Sequence, residues 1–227
     1  MNNLSVTQNP FLKLVNHPLM VNGSLGAVAA RAGVGKTSFL AHLSILNLLS
    51  FKHVLHVSMN APVQKVSLCY EDTYRNMASM FDMPQSEKDW ETILQHRFIM
   101  TFKSDDFSAD KLDSRLHDLT EQNIFLPQVI IFDGIELEST PQSDIIQLKQ
   151  ITEQTGSHAW FSVRTHRHEQ PDDHGFPPQL SKIKDLFEMI VLMHTEDNQI
   201  RIQSLKGNQL PEQTFLNAST LMPIISS

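Results

Sequence analysis

One continuous stretch carries the clearest chemical pattern in the chain. It reads Ala30-Arg31-Ala32-Gly33-Val34-Gly35-Lys36-Thr37, which fits a phosphate-binding loop with alanine in the first glycine position. Its glycines permit positive φ and a close approach of the backbone to a ligand. Backbone N–H groups of such a loop, with the N-terminus of the following helix, can surround a triphosphate. The pattern predicts ATP binding by these residues and by Ser38, which follows them.

Two side chains of this loop would touch the bound nucleotide and its metal. The Lys36 ammonium is expected to reach the β- and γ-phosphates, and the Thr37 hydroxyl to ligate Mg²⁺. Residues 129–133 read Val-Ile-Ile-Phe-Asp, a buried strand that ends in a carboxylate. Ligands of open parallel sheets bind at the carboxyl ends of the strands. Asp133 is therefore predicted to hold the same Mg²⁺ ion through its water shell.

The elements around these residues alternate between strands and helices. Apolar runs predict strands at 25–29, 52–57, 97–102, 129–133, 159–163, 189–193 and 199–205. Helical spacing predicts helices at 38–50, 63–81, 87–96, 108–122 and 143–155. A long loop rich in proline, at 164–182, is expected to lack regular structure. We therefore expect an α/β fold whose mainly parallel sheet ends in a C-terminal hairpin.

Composition limits the partners and the cellular compartment that we expect for this chain. The chain has 227 residues and a formal net charge of −7, which argues against duplex DNA as a partner. Cys69 is the only cysteine, so no internal disulfide can form, as in a reducing compartment. We find no secretory signal and no apolar run of the ~20 residues that span a bilayer. We expect a cytoplasmic protein without membrane association, with an arm at 1–22 and a single nucleotide-binding domain at 23–227.

The chain resembles RecA-fold ATPases, and most of all the branch of the DnaB helicases and KaiC. The resemblance covers about residues 20–210 and rests on four short stretches besides the loop pattern. These are Asn22-Gly23-Ser24-Leu25, Ala29-Ala30-Arg31, Val57-Ser58-Met59-Asn60 and Leu205-Lys206-Gly207-Asn208. The resemblance implies a three-layer α/β sandwich that binds ATP and Mg²⁺. It also implies self-association into rings such as a hexamer. In such a ring Lys206 would reach the nucleotide of a neighbouring subunit.

Two departures from the family pattern bear on activity. Asn60 stands where the family has the glutamate that polarises the attacking water, and an amide cannot accept a proton at neutral pH. We therefore expect slow hydrolysis or none. If a carboxylate is supplied from elsewhere, the candidates are Glu71, Glu136 and Glu138, of which Glu136 is the best placed. Lys36, Asn60 and Glu136 form the predicted catalytic set. Asn208 replaces an arginine after Lys206, which weakens the case for a coordinated motor and leaves Lys206 open as an ordinary surface lysine.

The loop at 164–182 occupies the place where DNA-translocating relatives bind nucleic acid. It carries as many acidic as basic residues up to Asp185 and no pair of stacking aromatic rings, so nucleic acid is not favoured. Arg164 or Thr165 could instead sense the γ-phosphate. The loop also contains a group of potential metal ligands, namely His166, His168, Asp172, Asp173 and His174.

Three hypotheses about function follow from these residues. The first is an ATP-binding protein with weak or absent hydrolysis that acts as a regulatory or assembly component. The second is an active ATPase of the helicase or recombinase type on single-stranded DNA, which needs a working carboxylate and a cationic groove. The third is a small-molecule kinase, for which Arg164 and Arg167 are the candidates for a cationic lid.

Overall fold

A computed structural model describes residues 5–59, 61–83, 86–207, 210–211 and 214–224. Its strands are β1 (Leu25–Arg31), β2 (Val54–Met59), β3 (Arg97–Phe102), β4 (Val129–Asp133), β5 (His158–Thr165), β6 (Met189–Glu196), β7 (Gln199–Lys206) and β8 (Thr214–Asn217). Its α-helices are α1 (Leu12–Val15), α2 (Lys36–Leu48), α3 (Val63–Met80), α4 (Glu87–Leu94), α5 (Ala109–Glu121), α6 (Gln142–Gln154) and α7 (Pro178–Ser181). Short 3₁₀ turns lie at Val6–Gln8, Ser104–Asp106 and Lys184–Leu186.

The described strands form one sheet in the order β3-β2-β4-β5-β1-β6-β7-β8. Neighbours from β3 to β6 pair in parallel, and β7 and β8 continue the sheet in antiparallel fashion. The predicted α/β class, with a mainly parallel sheet and a C-terminal hairpin, is confirmed. Because parallel strands run in one direction, the carboxyl ends of β1, β4 and β5 meet at one edge of the sheet.

Helices cover both faces of the sheet, as its apolar strands require. On one face, α2 and α3 pack with α1 over residues such as Val28 and Trp160. On the other face, α5, α6 and α7 pack over residues such as Ala29, Phe132 and Phe161. Successive residues of one strand thus belong to opposite cores. This arrangement is compatible with a three-layer sandwich.

The segment before β1 packs on α2 of the same chain. Phe11 is fully buried, and its ring lies edge-on to Phe39 at 5.0 Å between centroids. Asn9 is also buried, and its side chain hydrogen-bonds to His42 on α2. These contacts extend the core on this face of the sheet to the first described residues.

Several details of the predicted elements are wrong, among them the bounds of β2, predicted at 52–57 and found at Val54–Met59. The segment expected to lack regular structure begins with the last two residues of β5 and contains α7. Proline breaks regular structure inside an element, but Pro178 occupies the first turn of α7, where its missing N–H and fixed φ are tolerated. The strand β8 was not predicted, because it has only four residues. Helix α2 begins at Lys36, before the predicted start at residue 38.

Among the residues described, none of the helices has both the length and the apolar character that a bilayer span requires.

Candidate functional site

The loop between β1 and α2 has the backbone shape that its glycines predict. Gly33 has φ of 80° and Gly35 has φ of 100°, values that are strained for any residue with a side chain. Gly35 is also the N-cap of α2, so no side chain caps the first turn of this helix. An uncapped helix N-terminus offers its positive dipole end and its N–H groups to an anion. The local geometry is therefore suited to phosphate.

Lys36 lies folded over this loop. Its Nζ donates hydrogen bonds to the backbone oxygens of Ala30, at 2.9 Å, and Arg31, at 3.0 Å. Burial lowers the pKa of the Lys36 ammonium, the Asp133 carboxylate opposes this shift, and Arg164 adds to it. Backbone carbonyls bind an ammonium less strongly than phosphate oxygens do. The Lys36 ammonium could therefore exchange these two carbonyl oxygens for the oxygens of a phosphate.

Thr37 and Asp133 bring two oxygen ligands together across the sheet edge. Thr37 Oγ1 donates a hydrogen bond to Asp133 Oδ2 at 2.7 Å, although β5 separates the strands β1 and β4. The Asp133 side chain is 13% exposed. A hydroxyl and a carboxylate are hard oxygen ligands of the kind that Mg²⁺ prefers. The predicted metal-binding pair is therefore adjacent in space.

A buried histidine behind Asp133 was missed by the sequence analysis. His56 on β2 is fully buried, and its Nε2 lies 4.0 Å from Asp133 Oδ2. Its Nδ1 is 3.1 Å from the Tyr70 hydroxyl. Burial lowers the pKa of His56 to about 4, against the attraction of Asp133 and with the repulsion of Arg97. The imidazole is neutral at pH 7, and the tautomer that carries hydrogen on Nε2 directs an N–H toward the carboxylate. The sequence signal for this residue was a histidine within the mostly apolar strand β2.

The other residues predicted to bind nucleotide have separate surroundings. Arg31 and Val34 line a cavity of about 420 Å³ together with Thr165 and Arg167. Ser38 Oγ is 3.5 Å from Cys69 Sγ. Lys206 Nζ donates to the backbone oxygen of Lys184 at 2.9 Å. Within one chain Lys206 is thus tied to the segment before β6.

The candidates for a catalytic carboxylate separate clearly. Asn60, like Asn208, lies outside the described residues. Glu71 pairs with Arg75 on the surface of α3 at 3.6 Å. Glu138 accepts a hydrogen bond from Gln179. Glu136 is exposed and lines a cavity of about 240 Å³ that also includes Met59, at the end of β2. Glu138 is also exposed and shares a cavity of about 230 Å³ with Glu136, so what sets Glu136 apart is its place beside the end of β2.

The group of metal ligands predicted in the loop does not assemble as expected. Asp172 instead closes a turn, where it accepts hydrogen bonds from the N–H groups of His174 and Phe176. The Phe176 N–H is the main cause that lowers the pKa of Asp172 to about 2. Among the described residues, the structure groups His166 with Glu138 and Glu169, which come from the sheet edge and the loop. Sequence spacing could not reveal this grouping because Glu138 follows a different strand.

No protein-family model matches the chain, and a search of curated proteins finds no significant match. Any functional assignment therefore depends on the residues and contacts of the site.

Proposed function

We propose that this chain is a P-loop protein of the RecA-like type that binds Mg·ATP and hydrolyses it slowly or not at all. It would act as a regulatory or assembly component. The observation that supports this proposal best is the hydrogen bond between Thr37 and Asp133, next to the Gly33–Gly35 turn at the start of α2. A loop for phosphates, a lysine and a pair of magnesium ligands then lie at one sheet edge.

The proposed binding step uses groups that are already near their working positions. The phosphates enter the loop and accept hydrogen bonds from its backbone N–H groups. Lys36 exchanges its two backbone carbonyls for phosphate oxygens, which are stronger acceptors because they are charged. Mg²⁺ takes the Thr37 hydroxyl as a ligand, while Asp133 moves from that hydroxyl to the waters of the ion. ATP binding would therefore break the hydrogen bond that joins Thr37 to Asp133.

Slow turnover follows from the side chains near Asp133. Hydrolysis needs a group that orients water and accepts its proton. His56 lies next to Asp133 but is fully buried, so it is not placed to contact a water on a bound phosphate. Glu136 is the carboxylate that we expect to carry any residual activity. Its substitution Glu136→Gln should then abolish hydrolysis while ATP binding is kept.

A regulatory role requires that the bound and free states differ. We propose that the chain associates with copies of itself and that Mg·ATP changes this association. The family resemblance implies a hexameric ring as the assembly. Lys206 is the residue proposed to contact a neighbour's nucleotide. Light scattering with and without Mg·ATP should show a change in particle mass that Lys206→Ala diminishes. An unchanged mass in both conditions would contradict a role in assembly.

The binding test uses a fluorescent ATP analogue with the intact chain and two lysine variants. Loss of the Lys36 ammonium removes at least one charge-assisted hydrogen bond, worth about 1.5–3 kcal/mol. The Kd of Lys36→Ala should therefore rise about 10-fold to 100-fold. Lys65→Ala, on the exposed side of α3, is the matched control and should bind like the wild type.

Two results would contradict this proposal. Equal affinity of the wild type and Lys36→Ala would refute nucleotide binding at this loop. Hydrolysis that is fast and stimulated by single-stranded DNA would favour the alternative, an ATPase of the helicase or recombinase type.

A further inference from the structure

A second cluster of polar side chains lies where the loops after β4 and β5 meet. Glu138, His166 and Glu169 each offer a ligand atom, and these atoms lie within 4.8 Å of one another. His166 Nε2 is 3.6 Å from a carboxylate oxygen of Glu138. We infer that this cluster binds a divalent transition-metal ion such as Zn²⁺ or Mn²⁺. The site is distinct from the magnesium pair of Thr37 and Asp133 and does not depend on nucleotide binding.

A buried glutamine faces the two carboxylates of this cluster. Gln179 on α7 is only 5% exposed, and its Nε2 donates to the carboxylates of both Glu138 and Glu169. Its Oε1 is buried and has no hydrogen-bond partner within the part of the chain that is described. A buried carbonyl without a partner costs about 1–3 kcal/mol. With a cation between the carboxylates, a turn of the amide by 180° brings Oε1 onto the ion. Gln179 then becomes the fourth ligand: its oxygen gains the ion as a partner, and its Nε2 gives up the two carboxylates, which now bind the ion instead.

Charge balance supports the same conclusion. Within the ranges that the structure describes, no lysine or arginine nitrogen lies within 4.0 Å of the Glu138 or Glu169 carboxylate. Carboxylates this close repel each other. A divalent cation cancels both charges. A neutral imidazole from His166 then adds a nitrogen ligand without adding charge.

The donor set selects the class of metal. One imidazole nitrogen and three oxygens suit Zn²⁺ or Mn²⁺, whereas Mg²⁺ prefers oxygen ligands alone. Metal–ligand bonds of about 2.1 Å in a tetrahedron place the ligand atoms about 3.4 Å apart. The cluster must therefore tighten by roughly 1 Å. The side chains of Glu138 and His166 are 46% and 44% exposed, so they have the freedom to make this movement.

The position of the cluster suggests what the ion does. Glu138 belongs to the connection that leaves Asp133, and His166 follows β5 directly, two residues after Arg164. A metal shared by these segments joins the loop of His166 and Glu169 to the end of β4. It would stabilise the sheet edge beside the proposed nucleotide site.

The test is a calorimetric titration of the intact, chelator-treated chain with Zn²⁺, in parallel with Mg²⁺. We expect one equivalent of Zn²⁺ and no comparable signal from Mg²⁺. The variants His166→Gln and Glu169→Gln should each weaken Zn²⁺ binding by at least about 100-fold, because each removes a ligand. The control His168→Gln removes an exposed histidine outside the cluster and should leave the affinity unchanged. Circular dichroism of each variant checks that it is folded.

Three results would overturn this inference. The first is the absence of saturable Zn²⁺ binding by the wild type. The second is wild-type affinity in both ligand variants, which would place the ion elsewhere among the histidines. The third is an equal loss in His168→Gln. The variant Lys36→Ala should bind Zn²⁺ like the wild type, so a failure of this site and a failure of nucleotide binding can be told apart.

Discussion

His42 should make the protein sensitive to mild acid. This residue of α2 is fully buried, and the amide of Asn9 lies 2.7 Å from its Nε2. The oxygen of that amide accepts the N–H of Phe11, so the amide nitrogen is the atom that faces His42. Nε2 must therefore accept a hydrogen bond, which only the neutral ring can do. Protonation of Nε2 would place its N–H against the amide N–H of Asn9, and both groups are buried away from water. Burial accordingly lowers the pKa of His42 from 6.5 to about 3.

The size of the effect follows from this difference in pKa. Below pH 6.5 the unfolded chain binds a proton at His42 that the native state does not bind. The native state therefore has its full stability with respect to His42 only above that pH. It declines as the pH falls from 6.5 toward 3. Each pH unit below 6.5 costs about 1.4 kcal/mol, which gives about 2 kcal/mol at pH 5. This is a large fraction of the ~5–15 kcal/mol that stabilises a typical protein.

The assay is urea unfolding of the wild type and His42→Gln at several pH values between 7 and 4. A glutamine oxygen can still accept from Asn9 but does not titrate, so the variant should lose less stability on acidification. The difference between the two curves isolates His42, because other buried histidines such as His158 affect both proteins equally. The control His168→Gln should follow the wild type. A pH-independent difference between the wild type and His42→Gln would refute the reasoning.

Three further substitutions test the geometry of the proposed nucleotide loop. Gly35→Ala should lower the free energy of unfolding by more than Gly33→Ala, because a Cβ at Gly35 would collide with the end of the Leu221 side chain. Gly33 has open space around it, so only its positive φ is strained, at about 1 kcal/mol; equal losses in urea unfolding would contradict the packing of Leu221. Thr37→Val removes the hydroxyl that bonds to Asp133, and we expect Mg·ATP to bind about tenfold more weakly, for the loss of about 1.4 kcal/mol. ATP without Mg²⁺ should bind both proteins alike, and an equal loss in both conditions would mean that Thr37 does not contact the ion.

Local patterns predicted the elements that are buried and bounded by turn residues. The predicted bounds of β3 and β4 match the structure: β4 is a buried apolar run with a sharp end, whereas β3 is a half-buried edge strand that begins at Arg97. Asp133 could be placed at the sheet edge for the same reason. Contacts between distant segments were beyond the reach of these patterns. His56 meets Asp133 only because β2 and β4 are neighbours, and Glu138 meets Glu169 only because two loops fold together.

The most direct test of the central claim is a calorimetric titration of the intact chain with Mg·ATP. The account predicts heats that saturate and return to baseline, which signify binding without turnover, and their loss in Lys36→Ala. A wild type that gives no binding heat, or that gives a sustained heat flow from rapid hydrolysis, would contradict the account.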